Sequence, residues 1–250
     1  MATSPTPDAK ESAVRSYYDE FARGYEAQRR PAEPDGYHAM IDDLEVDYTL
    51  RFAAGKDVLE VGCGTGLILG RLVSTCRSVK GVDLSPGMLE KARDRGLDVE
   101  LGSATALPFK PDSFDVVCSF KVLAHVPEIG RALAEMVRVT RPGGYVLAEF
   151  YNPISLRALA KWLGPAGAIS ESTRESAVYT RFDPPWTLPR ILPAGTKVVG
   201  SRGVRIVTPT ASAMRIPGLK SILRSLETRL CDTPLRAFGG FWIAAIQKTA

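Results

Sequence analysis

Apolar residues recur at intervals of three and four through "ESAVRSYYDEFARGYEAQRR" (residues 11–30), where Val14, Tyr17, Tyr18, Phe21, Ala22 and Tyr25 share one side of a helix. A second helix is expected around 37–53. From Asp57 the period changes. "DVLEVG" is short and continuously apolar, as a buried strand is. "GLILGRLVS" then reads as a helix, "SVKGVDLS" as a strand, and "GMLEKARDRG" as a helix closed by its glycine. "DVELGSA" and "FDVVCSFKV" read as strands. "IGRALAEMVRVT" is a helix stopped by "RPGG", and "GYVLAEFY" is a strand. Apolar strands alternating with helices predict a parallel sheet covered on both faces.

After Tyr151 the alternation stops. "NPISLRALAKWLGPAGAIS" reads as a helix and loop, and "RFDPPWTLPRILPAG" is proline-rich and irregular. "TKVVGSRGVRIVTP" resembles one or two strands, and "FGGFWIAAIQK" is a final strand. Between them, "GLKSILRSLETRLC" places Leu219, Ile222, Leu223, Leu226 and Leu230 on one stripe, with Lys220, Arg224 and Arg229 mainly off it. Such a stripe ordinarily packs on its own domain. A basic amphipathic helix can also lie on a membrane surface.

Composition narrows the class. The chain has 250 residues, 45% hydrophobic and 24% charged, which suits one globular domain with a full core. "MATSPTPDAKES" is polar, carries two prolines and has no apolar stretch, so it reads as a tail rather than a signal peptide. No apolar run approaches the ~20 residues of a membrane span. Cys63, Cys76, Cys118 and Cys231 form no CxxC pair, and with His38 and His125 as the only histidines no metal site is expected. Unpaired cysteines point to the reducing cytoplasm. Residues 1–150 hold 18 Lys/Arg against 23 Asp/Glu, whereas residues 151–250 hold 14 against 5. The basic end is compatible with a solvated surface, an anionic substrate or an anionic membrane. No basic run interleaved with aromatics suggests nucleic acid.

The chemistry concentrates in "EVGCGTGLILG". Gly62, Gly64 and Gly66 follow a buried strand and precede a helix, where a bare backbone can turn tightly and approach a ligand. The spacing is G-x-G-x-G, with Leu67 where a dinucleotide fold has its third glycine. Glu60, two residues earlier, would repel a pyrophosphate. It suits an amino group or positive charge, or else caps the turn. Asp83 ends the second strand, 21 residues after Gly62, where an acid can accept both ribose hydroxyls. "GSATALPF" (102–109) follows the third strand as a short turn able to line an adenine. His125, in "LAHVPE" just past the fourth strand, could take a proton from a hydroxyl nucleophile or be tied to backbone. Lys121 stands at the same edge, solvated or facing a substrate carboxylate. Tyr179, Arg181 and Phe182 could reach over the pocket.

In order along residues 11–150, "EVGCGTG", "VDLSPGML", "GSATALPF", "FDVVCSFKVLAHVPE" and "RPGG" resemble the class I S-adenosylmethionine-dependent methyltransferases, in the small-molecule branch that includes ubiquinone and menaquinone biosynthesis enzymes. The resemblance implies a Rossmann-like, doubly wound α/β sheet of seven strands, the last antiparallel. It implies S-adenosyl-L-methionine as cofactor. Gly62, Cys63, Gly64 and Gly66 would lie against its methionine part, with Glu60 near the amino group. Asp83 would bind the ribose, Leu84 and Met88 would flank the adenine, and Ser103 and Ala104 would meet its edge. Many relatives have Asp where this chain has Ser103. Phe120 would sit beside the sulfonium, and Tyr17 and Tyr25 resemble lid tyrosines, the other reading being helix packing on the sheet. The expected organisation is a single domain: tail 1–12, N-terminal helical lid 13–54, cofactor core 55–151, helical acceptor cover 152–238 and final strand 239–250. The acceptor would be a small, apolar or lipid-like molecule methylated on O, N or C, with peripheral membrane contact open. The other reading is a non-catalytic cofactor-binding or interaction protein on the same fold.

Overall fold

The computed structural model describes residues 35–155 and 179–249, together with Asp19, Ala22 and Gly24. Helix α1 is Tyr37–Ala53, where the sequence predicts it. There follow β1 (Asp57–Val61), α2 (Leu69–Leu72), β2 (Ser78–Asp83), α3 (Pro86–Asp94), β3 (Val99–Leu101), β4 (Phe114–Ser119), a 3-10 turn at Leu123–His125, α4 (Ile129–Val139) and β5 (Thr140–Tyr151). The C-terminal part contributes β6 (Thr196–Val204), α5 (Leu219–Leu230) and β7 (Phe241–Lys248).

The seven strands form one sheet in the order β3-β2-β1-β4-β5-β7-β6. β1 to β5 pair in parallel, and β7 runs antiparallel to both β5 and β6. The expected topology, with an antiparallel last strand, is the observed one. After β3 the chain returns to lay β4 on the other side of β1. That reversal opens a crevice at the carboxyl ends of the strands, the usual ligand position in such sheets.

Two boundaries differ from the sequence expectation. The helix expected over 66–74 is only the single turn α2, and its first expected residue, Gly66, is left-handed at φ +79°. "RPGG" does not separate α4 from the next strand. It is the irregular start of β5, where the register jumps from Phe114↔Thr140 to Val116↔Tyr145 and Gly143, at φ +78°, absorbs the extra residues.

Strand alternation decides what each face carries. Leu59 and Val61 of β1, Val117 of β4 and Val146 and Ala148 of β5 pack with Leu133 and Met136 of α4. Val58, Val116, Cys118 and Leu147 point the other way, towards Met40, Ile41 and Leu44 of α1. Glu60 has the parity of Val58, and Glu149 that of Leu147, so both acids belong to the α1 face. Helix α1 is fastened there by Arg202 of β6, which is 1% exposed and donates to the Leu44 carbonyl (3.0 Å), Asp47 (2.6 Å) and Asp232 (2.7 and 2.9 Å).

The leucine stripe of α5 does not pack as one face. Leu223 is buried, but Ile222 and Leu226 are 56% and 38% exposed. The cause is Glu227, fully buried one turn after Leu223, which accepts the backbone amides of Ile206 (2.8 Å), Val207 (2.9 Å) and Thr208 (2.8 Å). Turning Glu227 inward rotates the helix and carries Ile222 and Leu226 out. Among the described residues, no helix is long and apolar enough to cross a membrane.

Glu227→Ala leaves three buried donors without an acceptor, each costing about 1–3 kcal/mol. Urea unfolding is expected to show a loss of roughly 3 kcal/mol or more, with Glu227→Gln retaining part of it.

Candidate functional site

The chain leaves β1 through a turn that only small residues can make. Gly62 and Gly64 adopt φ +75° and +53°. A Cβ on Gly62 would lie 2.2 Å from a methyl group of Val122, whereas one on Gly64 would meet nothing within 4 Å and would project into open space. The Gly62 amide donates to the Val82 carbonyl at 2.7 Å, which ties the turn to β2.

Asp83 completes the tie. One of its carboxylate oxygens accepts the Gly64 amide at 2.8 Å and the other accepts the Ser85 amide at 2.9 Å. Burial pushes its carboxyl up from the ordinary value, and these backbone donors oppose that shift. A carboxylate offers about four lone-pair directions, so two backbone bonds leave room for hydroxyl donors. Ser85 in turn caps α3, its hydroxyl oxygen accepting the Met88 amide at 3.2 Å. Asp19 accepts the Ser85 hydroxyl (2.5 Å) and the Gly87 amide (3.2 Å), and Lys91 donates to the Ala22 carbonyl. These N-terminal helical residues thus dock on the start of α3, beside the crevice.

The crevice is a cavity at the carboxyl ends of β1, β2 and β4. Glu60, Gly62, Cys63 and Gly64 line it from the first turn, and Asp83, Leu84 and Met88 from the second. Ser103 and Ala104 line it beyond β3, and Phe120 and His125 beyond β4. Of the residues predicted for the site, Gly66 is not in the wall. At φ +79°, its missing Cβ makes room for Leu97, 2.2 Å from where that atom would be, so its role is packing of the turn. Tyr17 and Tyr25 lie outside the described residues. The Ser103 hydroxyl is 2.9 Å from that of Thr105 and accepts the Thr105 amide at 3.2 Å, which keeps the turn closed.

His125 is anchored. Its Nδ1 lies 3.0 Å from the Tyr179 carbonyl oxygen. A carbonyl only accepts, so this contact assigns the ring proton to Nδ1 and basic character to Nε2. The segment that follows is laid along the 3-10 turn by the Arg181 amide, which donates to the Ala124 carbonyl at 2.8 Å. Arg181 does not reach over the pocket. Its guanidinium is clamped by both oxygens of Asp183, at 2.7 and 2.8 Å. Tyr179 and Phe182 are exposed.

Lys121 has partners that the sequence did not reveal. It lines the cavity and is only partly exposed, with its charge already engaged by acids of the chain. Its ammonium turns to α1, 2.7 Å from Glu45 and 3.2 Å from Asp42, and its own amide, at φ +60°, donates to Glu149 at 3.0 Å. Glu60 lies against this group, 3% exposed, with Oε2 buried and lacking a hydrogen-bond partner. Burial first, and Glu45 second, push the Glu60 carboxyl well above its ordinary value, while Lys121 opposes. Sequence reasoning missed Asp42, Glu45 and Glu149. The signals were there: strand parity for Glu149, and for Glu45 its place beside Leu44 on the apolar side of α1.

Residues 59–148, the stretch that builds this cavity, match the family described as a methyltransferase domain. That stretch is similar to methyltransferase domains. Over 163 residues it is 32% identical to a demethylmenaquinone methyltransferase of Symbiobacterium thermophilum, covering 60% of this chain and 64% of that protein. Over 148 residues it is 33% identical to a ubiquinone biosynthesis O-methyltransferase of Thiobacillus denitrificans, covering 55% and 62%. The chain therefore spans less than two thirds of these relatives' length. A solved methyltransferase structure from Thermotoga maritima, titled a possible histamine N-methyltransferase, shares the fold with a TM-score of 0.64 at 21% identity, over 91% of this chain and 98% of that one. The matched stretch includes every described site residue, from Glu60 to His125.

Because Asp83 braces the glycine turn as well as facing the cavity, Asp83→Ala is expected to act twice. Calorimetry should show S-adenosylhomocysteine affinity reduced by roughly 1–3 kcal/mol, and the thermal midpoint of the ligand-free protein should also fall.

Proposed function

We propose that this protein transfers the methyl group of S-adenosyl-L-methionine to an oxygen, nitrogen or carbon of a small, largely apolar acceptor. The observation that carries the reading is the pairing of two carboxyl groups across a glycine-rich turn. Asp83 keeps acceptor capacity beside Gly64, and Glu60 holds a buried oxygen without a partner in the same cavity wall. The first suits a ribose and the second an ammonium, so the residues present fit this cofactor. A nicotinamide dinucleotide fits less well, since Glu60 would repel its pyrophosphate.

Bound there, the cofactor supplies a methyl group activated by its sulfonium. The chain's own residues do the rest. Glu60 takes the ammonium, with Gly62, Cys63 and Gly64 along the methionine part. Asp83 takes the ribose hydroxyls, and Leu84, Met88, Ser103 and Ala104 enclose the adenine. Phe120, 5% exposed, presents an apolar wall on the β4 side and keeps water out. Positioning and water exclusion of this kind are worth roughly 7–11 kcal/mol in favourable cases. With Nδ1 engaged by the Tyr179 carbonyl, His125 takes a proton from a hydroxyl acceptor at Nε2. Tyr17 and Tyr25 serve as the N-terminal lid, and residues 152–238 form the acceptor side. Relatives named for demethylmenaquinone and ubiquinone support a small-molecule acceptor. The four cysteines are free, which suits the cytoplasm.

S-adenosylhomocysteine is expected to raise the thermal midpoint while NADH leaves it unchanged. Incubation with S-adenosylmethionine and cell extract should add one methyl group to a small molecule detected by mass spectrometry. Stabilisation by NADH and not by S-adenosylhomocysteine would contradict the proposal.

A further inference from the structure

Behind the cavity wall, four acids from three elements converge on the α1 face: Asp42 and Glu45 of α1, Glu60 of β1 and Glu149 of β5. Among the described residues, the cation that faces them is Lys121. Glu45 and Glu149 are 0% and 1% exposed, and burial first, then the charge of Glu45, push the Glu149 carboxyl well above its ordinary value. Asp83 of β2 also bears on Glu60, while Cys118, its neighbour on β4, and Cys63, in the turn after β1, carry thiols that burial pushes up and keeps neutral. Among these acids, Glu60 is the one that lines the cavity with a buried oxygen lacking a hydrogen-bond partner.

A wholly buried carboxylate beside other acids is costly without a nearby positive charge, and protonation is the usual escape. A ligand ammonium entering the cavity changes that balance. We propose that the Glu60 carboxyl is protonated in the empty site and gives its proton to solvent when the ammonium of the ligand arrives, with Glu45 acting as a positioning residue that, through Lys121, sets how tightly that proton is held. The step balances simply: Glu60 passes from carboxylic acid to carboxylate, one proton leaves for the buffer, and the ligand keeps its ammonium protons. The inference rests on the reading of the cavity as a site for S-adenosylmethionine, and adds to it a proton linkage and a role for acids outside the wall.

The sign follows from linkage. The empty site holds more protons than the filled one, so affinity rises with pH through the window between the ordinary carboxylate value and the raised one. In that window the increase approaches about tenfold per pH unit, the slope for about one proton released.

The experiment is calorimetric titration of the full chain with S-adenosylhomocysteine at neutral pH, in phosphate and in Tris, which differ widely in ionisation enthalpy. The expected result is a buffer-dependent apparent enthalpy equal to the release of about one proton. Glu60→Gln should bind more weakly and abolish the buffer dependence. Glu45→Gln should move the pH dependence of affinity to lower pH, a shift that a merely structural role would not produce. Proton release that persists in Glu60→Gln would place the proton on the ligand and overturn the proposal. So would an unmoved pH profile in a folded Glu45→Gln protein. Wild-type binding with no proton release would refute this inference alone, even if neither variant folds. No binding at all would refute the underlying reading of the cavity and this inference with it.

Discussion

The Asp83 carboxylate is the tie on which the site depends. By accepting the Gly64 amide on one oxygen and the Ser85 amide on the other, it locks the turn after β1 to the start of α3. Neither loop could supply that bond alone. Gly64 has no side chain, and the Ser85 hydroxyl is committed to capping α3 and to Asp19. The parallel pairing of β1 with β2 brings the two loops together, since Glu60 lies opposite Gly81 and Val61 opposite Val82. With the turn fixed, the cavity acquires a wall of backbone that a ligand can approach closely, and an acid at its rim.

The same sheet has a second constraint, on its α1 side. A parallel strand buried on both faces normally carries apolar residues throughout. Here β1 and β5 each carry a glutamate at one inward position, and α1 adds Asp42 and Glu45 on the same face. Lys121, held in a left-handed conformation past the end of β4, supplies the balancing charge and joins α1 to β5 through its side chain and its amide. Arg202, far along the chain, holds α1 in register for this contact. Local rules are broken where the cavity needs charge, and long-range pairs compensate.

What was legible in the sequence follows from range. Gly62, Gly64, Asp83 and the alternation of strands and helices are properties of short segments, whereas the doubly wound sheet with its antiparallel last strand was implied by the family resemblance. Gly66 was legible as a turn residue, but its contact with Leu97 was not, because that leucine arrives from beyond α3. The fates of Lys121 and Arg181 depended on partners elsewhere: Asp42 and Glu45 for one, Asp183 for the other. The α5 stripe misled because one inward acid, Glu227, counted for more than two leucine-like positions: three backbone amides needed an acceptor, and Ile222 and Leu226 could tolerate water. Tyr17 and Tyr25 lie outside the described residues.

The most direct test of the central claim is a crystal structure of the protein with S-adenosylhomocysteine. The account predicts the ribose hydroxyls on the Asp83 carboxylate, the ammonium against Glu60 and the thioether near Phe120. Density for the ligand elsewhere, or in the cavity with its ribose turned away from Asp83, would contradict it.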